Sequence, residues 1–151
     1  MTRRPLAATY RVQLTPDLGF REVLDLVPYL EDLGISHLYL SPIMEARAGS
    51  PHGYDVTDPP RVREELGGED AFRELAGAGL GVIVDIVPNH MAACDENPFW
   101  ADEEQRAEVF DVDPHSGWYR RFFDIDHLAG VRQEDPEVFD LTHRKILELV
   151  A

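Results

Sequence analysis

Three polar residues stand where an apolar run ends. They are Asp85, Asn89 and His90, in Asp85-Ile-Val-Pro-Asn-His90 after Gly79-Leu-Gly-Val-Ile-Val84. A carboxylate, an amide and an imidazole can hold hydroxyl groups, move protons and orient a polar ligand. The apolar run reads as a strand buried on both faces, as in a parallel sheet covered by helices. A carboxylate within it is costly to desolvate unless something pairs with it. Side chains alternate along a strand, so Asp85, Val87 and Asn89 share one face. His90 then falls where strand gives way to loop, the edge of a parallel barrel where chemistry is carried. The competing reading is structural: Asp85 paired to a backbone amide or an arginine, and Asn89-His90 capping the next segment. The same residue types also ligate metals. No second His at helical spacing accompanies them, so neither a catalytic metal nor a cofactor is expected.

A second cluster is His52-Gly53-Tyr54-Asp55. A ring beside a carboxylate suits a sugar: the ring stacks on the apolar face of a pyranose while acid and imidazole hold hydroxyls. Taken alone, the tetrapeptide reads first as a turn with Gly53 for geometry and Tyr54 as anchor. Trp100, Trp118, Phe122 and Phe123 could line a glucan groove, but a small local core is the simpler reading. Cys94 reads as an inert thiol, and Asp102-Glu-Glu104 as a solvated helix face.

The elements that must position these groups alternate. Thr9-Tyr-Arg-Val-Gln-Leu14 is a strand by composition. Val23, Leu26, Val27, Leu30 and Leu33 recur at helical spacing, with Pro28 expected to kink or shorten that helix and Gly34 to end it. Ser36–Leu40 is a second strand. Residues 43–67, with three prolines and three glycines by Gly67, form a long functional loop. A helix over about Glu69–Ala78 and a strand over Val82–Val87 follow. Residues 91–135 read as an excursion with one short helix, Ala101–Val109. Asp135-Pro136-Glu137 starts a last helix running to Val150, with Asp as N-cap and Pro at N1. This β-α-β-loop-α-β order is that of a parallel α/β fold.

Composition sets the bounds. The chain has 151 residues, enough for one domain and too few for a complete eight-fold barrel, which needs roughly 200 or more. Its formal net charge of −15 argues against nucleic acid and anionic membranes as partners. One cysteine permits no internal disulfide and suits a reducing cytoplasm. Met1–Tyr10 lacks the apolar stretch of a leader, and no run reaches the ~20 residues of a membrane span.

Taken in order, these segments resemble the alpha-amylase family of glycoside hydrolases and transglycosylases. Asp85-Ile-Val-Pro-Asn-His90 is similar to its first signature region, and His52-Gly-Tyr-Asp55 to the loop of its glucose subsite. Thr9–Leu14, His37-Leu-Tyr-Leu-Ser-Pro42, Glu65-Leu-Gly-Gly68, Asn97-Pro-Phe-Trp100, Phe122-Phe-Asp-Ile-Asp126 and Leu128-Ala-Gly-Val-Arg132 are closest to the trehalose-forming branch. The resemblance implies the N-terminal part of a (β/α)8 barrel, about three βα units plus the excursion. It implies a maltooligosaccharide substrate whose reducing-end α-1,4 linkage becomes α,α-1,1 by intramolecular transglucosylation. Tyr54 would stack on the glucose at the cleavage site, and His90 would hydrogen-bond it. Asp85 would organise the site, with His52 and Asp55 supporting or touching substrate. Asn89 sits where many amylases use a calcium ligand. Two departures accompany this. The helix between Gly68 and Gly79 is shorter than the family's. The family's nucleophilic Asp, acid/base Glu and stabilising Asp have no counterpart in these residues, so the chain alone is expected to be inactive. An α-glucan hydrolase, or a non-catalytic maltooligosaccharide-binding module, would carry the same motifs.

Overall fold

A computed structural model describes residues 5–151; Met1–Arg4, part of the segment read as carrying no leader, lie outside the described residues. The chain divides into two compact units. One comprises the chain through Ile43 with Ala48–Gly53 and Val62–Ile86; the other comprises Met44–Arg47, Tyr54–Arg61 and Val87–Ala151.

The first unit carries the expected alternation. Strand β1 (Thr9–Val12), helix α1 (Phe20–Asp32), strand β2 (His37–Leu40), helix α2 (Gly68–Ala76) and strand β5 (Gly81–Val84) belong to it. Between β2 and α2 the chain forms strands β3 (Met44–Ala46) and β4 (Val56–Val62) and a 3-10 turn, Glu64–Leu66. β1, β2 and β5 form a parallel sheet in that order, with Thr9 opposite His37 and His37 opposite Gly81. Three strands do not close a barrel. Val12, Leu38 and Leu40 are buried, as are Phe20, Val23, Val27 and Leu30 of α1 and Phe72 and Leu75 of α2. Each such side chain contributes about 1.5–3 kcal/mol on burial. Phe20 meets Phe72 edge-on at 5.5 Å between centroids.

Two expectations change here. Pro28 neither ends nor shortens α1, which runs on to Asp32. Pro28 sits on the exposed side, and the buried stripe on the opposite side outweighs the one lost backbone bond. The helix stops as expected: Gly34 takes φ +86° and donates to the Glu31 carbonyl at 2.9 Å. The apolar run Gly81–Val84 is half-buried rather than buried on both faces, because β5 has one strand partner, β2, among the described residues. The strand ends at Val84, ahead of Pro88, so Asp85 and Val87 lie just outside it.

In the second unit, β3 pairs with β4 inside the stretch expected to be loop. Strands β6 (His90–Ala92), β7 (Arg121–Phe122) and β8 (Ile125–Gly130) form an antiparallel sheet ordered β6-β8-β7. The excursion is therefore a structured layer. Helices α3 (Pro98–Ala101) and α4 (Glu103–Val109) precede it in part, and α5 (Pro136–Val150) follows. Its core is Met91, Val109, Phe110, Ala129, Val131 and Val138. Trp100 packs against this core, edge-on to Phe110 and Tyr119. Asn97, fully buried, caps α3 through its side-chain oxygen and donates from Nδ2 to the Ala92 carbonyl at 2.8 Å. Asp135 caps α5 with Pro136 at N1, as expected. No helix among the described residues is long and apolar enough to cross a membrane.

Candidate functional site

His90 opens β6 and is 4% exposed. The ring of Phe122, on β7, stacks on it at 3.8 Å between centroids and 18° between planes. Both rings come from strands flanking β8: His90 lies opposite Gly130 and Phe122 opposite Ile125, with a register shift between Arg121 and Phe122. Nε2 lies 3.0 Å from the Tyr54 carbonyl oxygen, and Nδ1 lies 3.0 Å from the position assigned to Asn89 Oδ1. A carbonyl only accepts, so Nε2 carries the proton and donates to Tyr54. Burial holds the imidazole below its ordinary pKa, against weaker upward pulls from the Tyr54 carbonyl and Asp55. The ring is therefore neutral at pH 7, and Nδ1 accepts. The Asn89 amide must then present its NH2 to Nδ1, since oxygen and nitrogen of an amide are assigned by such partners.

This arrangement unites four sequence candidates in the second unit: Tyr54, Asp55, Asn89 and His90. Tyr54 is half-exposed, Asn89 is exposed, and Asp55 is buried with its carbonyl accepting from the Arg47 amide at 3.2 Å. The His90 ring is occupied at both nitrogens and on one face, so it holds the backbone at Tyr54 in place. Phe122 belongs with this group. Of the other aromatics weighed as local core, Trp118 and Phe123 are instead 75% and 81% exposed. Phe123 takes φ +52°, a conformation L side chains rarely adopt.

Asp85 and His52 belong to the first unit. Asp85 accepts from both terminal nitrogens of Arg11 at 3.3 Å, and its amide donates to the Leu40 carbonyl at 3.0 Å. This is the charged partner that a carboxylate at a strand end requires. Arg11 also lies over the Tyr39 ring, 4.3 Å from its centroid. The basic residue of an alternating strand was the available signal for it. His52 is exposed on the loop after Ser50. Gly53 closes that loop with φ +75°, and a Cβ there would sit 2.9 Å from the Pro42 carbonyl oxygen. Glycine is required at that position.

No group of three or more His, Cys, Asp or Glu among the described residues is arranged to hold a metal ion. Chemically, the second-unit cluster offers a half-exposed aromatic ring beside a neutral, oriented imidazole and an exposed amide. That combination suits a polyhydroxylated ligand with an apolar face.

Comparison with known proteins agrees with this chemistry. The alpha amylase catalytic-domain model matches residues 19–141. A Mycobacterium tuberculosis (strain H37Rv) protein assigned as a maltooligosyl trehalose synthase is 35% identical, covering 94% of this chain and 29% of its own length. That alignment extends over 221 residues, so the relative carries residues within the span that have no counterpart in this 151-residue chain. The structure of maltooligosyltrehalose synthase from Arthrobacter ramosus superposes with a TM-score of 0.87 at 33% identity, over 93% of this chain and 29% of that one. The 1,4-alpha-glucan branching enzyme GlgB 2 of Streptomyces coelicolor is 34% identical over 78% of this chain and 17% of its own. The chain spans under a third of the length of each of these relatives.

Proposed function

Because the chain belongs to the alpha-amylase catalytic-domain family, we propose that it forms the first βα units of a maltooligosyltrehalose synthase, within one catalytic barrel domain. The observation that carries this reading is the match to two such proteins along 93–94% of the chain. The whole protein then turns the reducing-end α-1,4 linkage of a maltooligosaccharide into an α,α-1,1 linkage. In this reading Tyr54 stacks on the glucose at the reacting linkage. His90 presents Nε2–H at the same place, exchanging the Tyr54 carbonyl for a sugar hydroxyl. Phe122 shields the ring from water. Asp85, charge-paired with Arg11, organises the end of β5, and His52, Asp55 and Asn89 support or touch the substrate.

Retaining transglycosylation needs a nucleophile and an acid/base about 5 Å apart. The family resemblance assigns neither to these residues. A polypeptide of these 151 residues alone is thus expected to recognise glucan without turning it over. One cysteine in these 151 residues fits a cytoplasmic setting.

Product analysis tests this. The whole protein, incubated with maltopentaose, should consume reducing ends while little glucose is freed. New reducing ends would favour an α-glucan hydrolase. A branched product would favour the activity named for the branching-enzyme relative.

A further inference from the structure

The segment Gly49–Gly53 carries His52 and leads directly into Tyr54. Ala48, Gly49, Pro51 and His52 are all exposed. Ser50 and Gly53 are buried, but Pro51 and His52 gain little from packing, so hydrogen bonds carry much of the hold on this segment. Its anchors include three within the first unit. Ser50 Oγ accepts the Gly53 amide at 3.1 Å. Gln13 Nε2 donates to the carbonyls of Pro51 and His52 at 3.2 and 3.4 Å. Both carboxylate oxygens of Glu65 accept the Gly49 amide, at 3.0 and 3.1 Å.

The Glu65 anchor is built differently from the other two. Its carboxylate is gripped by the Nε and terminal nitrogen of Arg63, whose side chain is fully buried. Arg63 is fixed in turn by its backbone. Its amide donates to the Ile43 carbonyl at 2.9 Å, and its carbonyl accepts from Leu66 and Gly68. The Arg63 side chain and the Gly49 amide hold the Glu65 carboxyl below the ordinary carboxylate range. The anion therefore persists through neutral pH. Glu65 itself is exposed, so it contributes little to packing.

We propose that Glu65, locked by the buried Arg63, is a positioning residue for ligand recognition: it fixes the Gly49–Gly53 segment and thereby sets where His52 stands. Its value for sugar recognition rests on the functional reading above. Its hold on the segment does not.

Glu65→Gln keeps an acceptor but loses the charge; Glu65→Ala loses both. Gln13→Ala loosens the same segment from an exposed position and provides a second route should the Glu65 variants fold poorly. Residue-resolved amide exchange in the protein should accelerate at Gly49 and Gly53 by about tenfold in Glu65→Ala, the loss of one charge-assisted bond. Amides of α1 should not change. Calorimetric titration with maltopentaose should show weaker binding by a similar factor in Glu65→Ala, with Glu65→Gln between it and the parent. Unchanged exchange at Gly49 and Gly53 overturns the proposal. Faster exchange with unchanged maltopentaose affinity overturns the positioning role. A parent protein that binds no maltopentaose overturns the functional reading instead, and the exchange data alone then decide whether Glu65 holds the segment.

Discussion

His90 holds its Nε2 proton against the Tyr54 carbonyl, and its neutral state follows from burial under Phe122. This has a consequence for pH. Above the ordinary histidine value of 6.5, the ring is neutral folded and unfolded, and protonation has no effect on stability. As pH falls below it, the unfolded chain takes up a proton that the folded ring refuses, and stability drops. His90→Gln removes that share. The difference in unfolding free energy between parent and variant should therefore narrow as pH falls from 7 toward 5 in urea titrations. Asn89→Asp tests the proton arrangement. A carboxylate at Nδ1 stabilises the imidazolium, so the pKa of His90 should rise, read from its ring resonances by NMR. An unchanged value would mean that the residue 89 side chain does not face Nδ1. The polar cluster was legible in part. Asp85, Asn89 and His90 stood out by type and position, and Tyr54 by its neighbours. That His90 would be stacked by Phe122 and bonded to the Tyr54 carbonyl was not legible, because those partners arrive from 32 residues after it and 36 before.

Strand β4 shows why other elements escaped the sequence. Its Pro59-Pro60 pair lacks two ladder donors, which argues against a strand, yet the two-stranded β3-β4 ribbon has an edge that tolerates them. β6 and β7, three and two residues long, are too short to display an alternation. Helix α1 was legible from its apolar spacing and its closing Gly34, and α5 from its Asp135-Pro136 start. Two substitutions probe elements. Gly53→Ala forces a side chain into a positive-φ position 2.9 Å from the Pro42 carbonyl and should cost about 1–3 kcal/mol by chemical denaturation. Asn97→Ala removes the α3 cap, taking the side-chain acceptor from the Phe99 amide, and takes the Nδ2 donor from the buried Ala92 carbonyl. It should cost about 1–3 kcal/mol, read as a lowered thermal midpoint.

For the molecule as a whole, the parallel strands β1, β2 and β5 present the βα alternation of the alpha-amylase barrel in a stretch under a third as long as the relatives. The alternation was readable because each strand is followed by a turn residue and an amphipathic helix or a long connection. The half-buried state of β5 was not, since an apolar run does not report how many strand neighbours it finds. In the proposed function, Tyr54 and His90 recognise maltooligosaccharide. The most direct measurement is an amide-shift map of the protein during titration with maltopentaose. Perturbations should concentrate at residues 54–55, 89–90 and 122–123 and saturate together. No perturbation at millimolar sugar, or saturable shifts confined to other surfaces, would contradict the account.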